Sequence, residues 1–316
     1  MKKKPSSLPS GPAILAISGG RDSVALLHWL VSAGHRKLIL CHLNHGLRGR
    51  ASGQDAAFVR RLAARLGLKC EITKADAAAH AREHQMSVET AGRELRHAFL
   101  FDMARKHRAK VIFMAHHADD QAETILANLC RGASLRGMGG MMKLTPMKRG
   151  DQRLLIQRPL LDWQRADIDA YIREHRLTFR EDSSNLSPEH RRNRLRHEVL
   201  PLLNDIFSRD VAPIIARFGR HAQLDDLALW QIAMEKSAAM IGPDNRLVIT
   251  PGLHLEHPAI LSRVLHGWLT FTLKLKAIES DDVENAISML RPGGPAKINL
   301  PGGRHLRRKA GRLWLE

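Results

Sequence analysis

The sequence predicts a doubly wound α/β domain, built on a mainly parallel five-stranded sheet, followed by a smaller and mostly helical domain. From residue 12 to about 160, short apolar or β-branched runs alternate with longer helical stretches, the order that βαβ units require. After Pro159 that alternation stops and helical patterning takes over. The 316 residues are more than one core normally needs and enough for two, each able to bury a stable interior. The expected division is a basic lead-in over 1–11, the α/β domain over 12–210 and the helical domain over 211–316.

In order, the first strand is AILAI (13–17), closed by the turn SGGRDS and followed by a helix over 22–33. KLILCHL (37–43), LKCEITK (68–74), KVIFMAH (110–116) and RLLIQRP (153–159) supply four more strands; helices are expected at 54–66, 87–107 and 119–130. Beyond Pro159 come the helical LDWQRADIDAYIREH, the polar loop EDSSNLSPEH and the arginine-dense RRNRLRHEVLPLL. The second domain reads as helices at 223–240, 258–275 and 280–290, then two strand-like runs about the turn PGG in AKINLPGGRHLRRKAGRLWLE.

Charge narrows the function classes. Fifty Lys and Arg stand against 32 Asp and Glu, a formal +18, which calls for a polyanionic partner, nucleic acid first. The basic, Pro/Ser-rich MKKKPSSLPSG has no apolar stretch behind it long enough for a signal peptide or a membrane span. Cys41, Cys70 and Cys130 are odd in number and never form C-x-x-C, which argues against a disulfide framework or a cysteine metal site and for a reducing cytoplasm.

SGGRDS sits where a phosphate-binding turn belongs. Gly19 and Gly20 let the backbone approach an anion, the following helix offers unpaired N–H groups, and Ser18 and Ser23 add hydroxyl donors. Asp22 would repel phosphates unless it holds Mg²⁺ or meets a cationic reactant, so it points to nucleotide chemistry with a metal; the plain alternative is a capped strand-to-helix turn. HLNHGLRG (42–49) brings His45 and Arg48 to the same rim, with His42 and His45 more in keeping with a hydrogen-bonding element than a metal pair. In HHADDQAET (116–124), Asp119, Asp120 and Glu123 crowd one helical turn. Asp120-x-x-Glu123 would make a capping box, the histidines and acids could ligate a metal, and the acids could line a pocket for a small cation. Arg93 and Arg96 lie on one amphipathic helix, Arg131 and Arg136 in the glycine-rich RGASLRGMGGM, and Arg192, Arg194 and Arg196 in RRNRLRH, a density suited to RNA phosphates or to a solvated face.

S-G-G-x-D-S resembles the hallmark of the PP-loop ATP pyrophosphatase superfamily. SGGRDS, HLNHGLRG, ETAGRELRHAF, AHHADDQAET, RGASLRGM, IQRPLL, EDSSN and RRNRLRHEVLP, in that order, are similar to the tRNA(Ile)-lysidine synthetase family over about 12–203, and more weakly again in LPGGRHLRRKAGRLWLE. The resemblance implies a cytoplasmic ligase that uses ATP, Mg²⁺, L-lysine and tRNA(Ile) with a CAU anticodon. In that family the cytosine 2-oxygen attacks the α-phosphate, pyrophosphate leaves, and the ε-amine of lysine then displaces AMP.

On that basis Asp22, Arg93, Asp119 and Glu123 are the expected catalytic residues. Ser18, Gly19, Gly20, Arg21, Asp22, Ser23, His45 and Arg48 would hold the nucleotide, with Asp22 near its metal. Asp119, Asp120 and Glu123 would select lysine, while Arg96, Arg131, Arg136, Arg192, Arg194 and Arg196 would hold RNA. Arg21 has no specific account. Family members tend to dimerise, and longer ones append a further C-terminal domain, so recognition here is expected to rest on the second domain. Another PP-loop enzyme such as a tRNA thiolase is the alternative, disfavoured by the missing cysteine pair.

Overall fold

The computed structural model describes residues 8–45, 50–180, 191–250 and 252–316. Most of the lead-in, Arg48 and the EDSSN segment lie outside these residues. The chain forms two compact units, Met1–Arg220 and His221–Glu316.

The first unit runs β1 (Ala13–Ala16), α1 (Arg21–Ser32), β2 (Leu38–Asn44), α2 (Arg50–Arg65), β3 (Lys69–Lys74), α3 (Ala77–Glu83), α4 (Val88–Lys106), β4 (Val111–Phe113), α5 (Ala118–Leu129), α6 (Leu135–Met138), β5 (Leu144–Arg149), β6 (Gln152–Gln157) and α7 (Arg165–Glu174). A short α8 (Arg191–Arg194) passes through a π-helical turn, Leu195–Val199, into α9 (Leu200–Phe207), and α10 (Ala212–Met240) follows. The sheet order is β3-β2-β1-β4-β6-β5. Five strands are parallel, with Ala13 opposite both Leu38 and Val111, and Val111 opposite Leu155.

The sixth strand corrects the expected count of five: β5 pairs antiparallel to β6 as the first leg of a hairpin. Pro146 and the flanking Lys148 and Arg149 disguise it as a loop, but an edge strand tolerates a proline that donates no ladder bond.

Alternation along the strands fills two cores. Ala13, Leu15 and Ile17 face α1, α2 and α7 through Leu27, Val59, Leu62 and Ile168, whereas Ile14, Ile39, Cys41 and Ile112 face α4 through Phe99, Leu100 and Ala104. Strand order reverses between β1 and β4, so the turns after these neighbours share the crevice at the carboxyl edge, where doubly wound sheets bind ligands. SGGRDS follows β1 and HHADDQAET follows β4.

The second unit combines the expected helices with more sheet than the sequence suggested. α11 (Pro258–Gly267) continues through a π-helical turn at Trp268–Thr272, and α12 (Ser280–Ser288) packs beside it. Four antiparallel strands, β7 (Leu247–Val248), β8 (Lys297–Leu300), β9 (Arg304–Lys309) and β10 (Arg312–Leu315), take the order β7-β10-β9-β8. Trp268, fully buried, anchors the unit and donates from Nε1 to the Asn245 carbonyl at 2.8 Å. No helix among the described residues is long and apolar enough to cross a membrane.

Candidate active site

Gly19 makes the turn after β1 possible. Its φ is +91°, which favours glycine, and a Cβ there would lie a tight 3.3 Å from the Phe58 ring. Gly20 caps α1 without a side-chain acceptor, which leaves the first-turn N–H groups to a ligand. The two serines organise the loop: Gly19 N–H donates to Ser23 Oγ at 3.2 Å, Gly20 N–H to Ser18 Oγ at 3.1 Å, and Ser23 Oγ donates to the Gly20 carbonyl.

Arg21 leaves this turn. Its Nη1 donates to Asp169 of α7 at 2.7 Å and its guanidinium lies over the Phe179 ring, so it ties α1 to α7 instead of facing the loop. Asp22 stays at the crevice, with Oδ1 accepting from Arg165 at 2.7 Å and Oδ2 3.8 Å from His117 Nε2.

His117 starts α5 and centres the charge cluster. Its backbone N–H donates to Asp120 Oδ2 at 2.9 Å, closing a capping box, while its ring lies 3.4 Å from Asp119 and 3.5 Å from Asp120. The expected box partner, Glu123, is replaced by His117 because the helix begins one turn earlier than Asp120. Burial would lower the His117 pKa, but Asp120, Asp119 and Asp22 outweigh it and raise it above 6.5. Burial would likewise raise Asp119 and Asp120; His117 holds both below the usual carboxylate range, helped at Asp120 by Arg192 and Arg196.

Asp120 and Glu123 are not open to the crevice. Arg192 donates from Nε to Glu123 Oε2 at 2.5 Å and from Nη2 to Asp120 Oδ1 at 2.9 Å; Arg196 makes the matching pair at 2.6 and 2.9 Å. One helical turn separates the two guanidiniums, so both reach the same acids. Arg192 and Arg196, expected on RNA, are therefore spent on the acid pair in this structure, whereas Arg194 turns outward to Glu198. Four carboxylates (Asp22, Asp119, Asp120, Glu123) meet three guanidiniums (Arg165, Arg192, Arg196), and His117, whose pKa the acids raise, lies among them.

The remaining rim residues spread along neighbouring elements. His42 donates from Nδ1 to the Ile17 carbonyl, the hydrogen-bonding role expected of it. His45 is driven down to about 4 by burial, then by Arg96 and His42, and stands 3.5 Å from Arg96. Arg93 and Arg96 are exposed on α4, as are Arg131 and Arg136 around α6.

Three residues escaped the sequence reading. Gln121 clasps the glycine-rich loop, donating to the Gly139 and Met141 carbonyls at 3.0 Å and accepting from Met141 N–H at 2.7 Å. Arg158 joins Thr145 of β5 to His116, and Arg165 fixes Asp22. Arginine in IQRPLL was the available signal for Arg158; the others pair across more than a hundred residues or through a loop, with no local pattern.

The family described as PP-loop domain matches residues 2–203. The chain belongs to that PP-loop family. A second family, described as TilS substrate binding domain, matches residues 250–314. Relatives named tRNA(Ile)-lysidine synthase include one from Dehalococcoides mccartyi, 36% identical over 95% of this chain and 65% of its own length, and one from Porphyromonas gingivalis W83, 42% identical over 61% of this chain and 41% of its own. The resemblance to that family is thus borne out, although the chain spans about two fifths to two thirds of the length of such relatives. The PP-loop fold also appears in the U34-tRNA thiolase NcsA of Methanococcus maripaludis, at TM-score 0.53 and 17% identity, covering 68% of this chain and 72% of that one.

The PP-loop family uses ATP, and the carboxyl-edge crevice is where doubly wound sheets bind ligands. The half-exposed carboxylate of Asp22 is a hard oxygen donor of the kind Mg²⁺ takes, so the residue present suits that ion. Among the described residues no three-donor His/Asp/Glu set converges at this rim, which removes the support for a tightly held transition metal there.

Proposed function

We propose that this chain ligates L-lysine to C2 of the wobble cytidine of tRNA(Ile) bearing a CAU anticodon, through an O-adenylated cytidine, with release of pyrophosphate and then AMP. The observation that carries the reading is the sharing of one crevice by an anion-binding turn and a carboxylate cluster that already holds cations. Few reactions need both. A triphosphate requires the first, and a substrate arriving with two ammonium groups requires the second.

In this reading Ser18, Gly19, Gly20 and Ser23 cradle the phosphates, with N–H groups of α1 aimed at charge that grows as pyrophosphate leaves. Mg²⁺, when bound with ATP, supplies further charge neutralisation, and Asp22 is the residue that would hold it. Arg93, His45 and Arg96 lie along the rim where phosphate or RNA backbone would pass. Asp119, with an accessible oxygen, meets the incoming lysine and takes a proton from its ε-amine before attack on the activated carbon. Asp120 and Glu123 set the negative potential behind it; Arg192 and Arg196 show that these acids accept cations, and an ammonium could take the place of either. Arg131, Arg136 and Arg194 remain for RNA, with the second unit as the main tRNA-binding part.

Incubation with ATP, lysine and candidate tRNAs, followed by mass spectrometry of the anticodon nucleosides, tests the proposal. A lysine-sized mass gain on cytidine is expected only with the CAU tRNA. Labelled sulfur appearing in tRNA, with no lysine incorporated, would replace it with the thiolase reading.

A further inference from the structure

We propose that His80, Glu83 and His84, at the carboxyl end of α3, bind a zinc-class divalent cation and that the site ties α3 to α4. The donor atoms of these three side chains lie within 4.8 Å of one another. A tetrahedral zinc site with bonds of about 2.0–2.1 Å separates its donors by about 3.4 Å, so small rotations of the half-buried His80 and the exposed Glu83 and His84 would close the set.

The spacing explains the geometry. His80 and His84 stand four residues apart, on one helix face, with ring centroids 4.1 Å apart. His84 Nδ1 lies 3.1 Å from the His80 carbonyl, which can only accept, so Nδ1 carries the hydrogen and Nε2 keeps its lone pair for a metal. A backbone acceptor of this kind is the usual second partner of a ligating histidine.

Two further features favour a cation. The negative end of the α3 dipole falls at Glu83 and His84. From α4, Glu94 Oε2 reaches to 3.5 Å from His80 Nε2, offering a fourth donor from a second element. Two imidazoles and carboxylate oxygens make a borderline donor set, suited to zinc, nickel or copper and poorly matched to magnesium or calcium. The site therefore differs in chemistry from the crevice, and the proposal does not rest on the lysidine reading. Glu94 adjoins Arg93, so an ion here would steady the stretch of α4 that carries Arg93 and Arg96.

The test is titration of tag-free protein with Zn²⁺ against a chromophoric chelator, and with Co²⁺ followed by its visible absorption. One saturable equivalent in the micromolar range is expected, with a tetrahedral cobalt spectrum. His80→Ala/His84→Ala should remove that equivalent, and Glu94→Gln should weaken it roughly tenfold, on the scale by which supporting groups tune metal sites. The metal-free melting temperature of these surface variants should match the parent, and zinc should raise it only in the parent. Binding no tighter than millimolar, or an equivalent that survives in the double variant, would overturn the site; the other histidines among the 18 are then the binders.

Discussion

Arg192 Nε lies 2.5 Å from Glu123 Oε2, and the Glu123 side chain is fully shielded from solvent. A buried carboxylate of this kind persists only while cations stay with it, since removing one partner of a buried pair costs about 3–5 kcal/mol. The sequence places the two residues 69 positions apart. Helical spacing then delivers Arg196 to the same acids, so the cluster holds a duplicate.

Duplication makes the two arginines non-additive. Arg192→Met or Arg196→Met alone should cost about 1.5–3 kcal/mol, the scale of one charge-assisted hydrogen-bonded contact, because the other guanidinium still reaches both acids. The double variant should exceed the sum by about 0.5–3 kcal/mol, as Glu123 is then buried without a counter-charge. Urea unfolding of the four members of the cycle measures this; strict additivity would mean that the acids do not share the two cations.

His116 and His117 should push stability in opposite directions with pH. The pKa of His117 is raised, so its contribution is complete below 6.5 and is lost as pH rises through its folded value; His117→Gln should remove that alkaline decline. His116 is pushed down to about 3, chiefly by burial and by Arg158, so its cost appears as pH falls below 6.5. His116→Gln keeps an acceptor for Arg158 and should flatten the acid limb. Melting temperatures from pH 5 to 9, compared with the parent, give the two signs.

Five strands, the phosphate turn and most helices could be read directly from the chain, because each rests on a local period or on glycine. The sixth strand could not, since Pro146 and its charged neighbours cancel the alternation that marks a strand. Nor could α3, a seven-residue helix announced only by Asp76, whose side chain accepts from Ala79 N–H. Gly219 lies inside α10, where a Cβ would sit 2.5 Å from Ile125. Which acids face the crevice was equally hidden: Asp119, Asp120 and Glu123 look alike in sequence, and only the arrival of Arg192 and Arg196 separates the exposed acid from the buried two.

Gln121 should control the glycine-rich loop. Gly140 has φ +65°, and a Cβ would lie 2.8 Å from Gln121 Oε1, so Gly140→Ala meets both backbone strain of about 1–3 kcal/mol and a clash with the clasp. Gln121→Ala removes the clasp without the strain. Hydrogen exchange of 137–141 should accelerate in both variants, and only Gly140→Ala should lower the melting temperature by the larger amount. Unchanged exchange in Gln121→Ala would show that the loop is held by other contacts.

Asp119 and the phosphate turn should separate in kinetics. If Asp119 meets lysine, Asp119→Asn should raise KM for lysine about tenfold, corresponding to about 1.4 kcal/mol, while pyrophosphate exchange into ATP with tRNA present and lysine absent stays near the parent rate. Asp22→Ala should abolish that exchange and leave tRNA binding largely intact, because the role proposed for Asp22 is at the nucleotide. The arrangement of partners sharpens the contrast: Asp22 is fixed by Arg165 at 2.7 Å, whereas Asp119 owes its charged state chiefly to His117. Loss of exchange in Asp119→Asn would move that carboxylate to the nucleotide side and leave lysine selection to Asp120 and Glu123, which would then have to release their arginines.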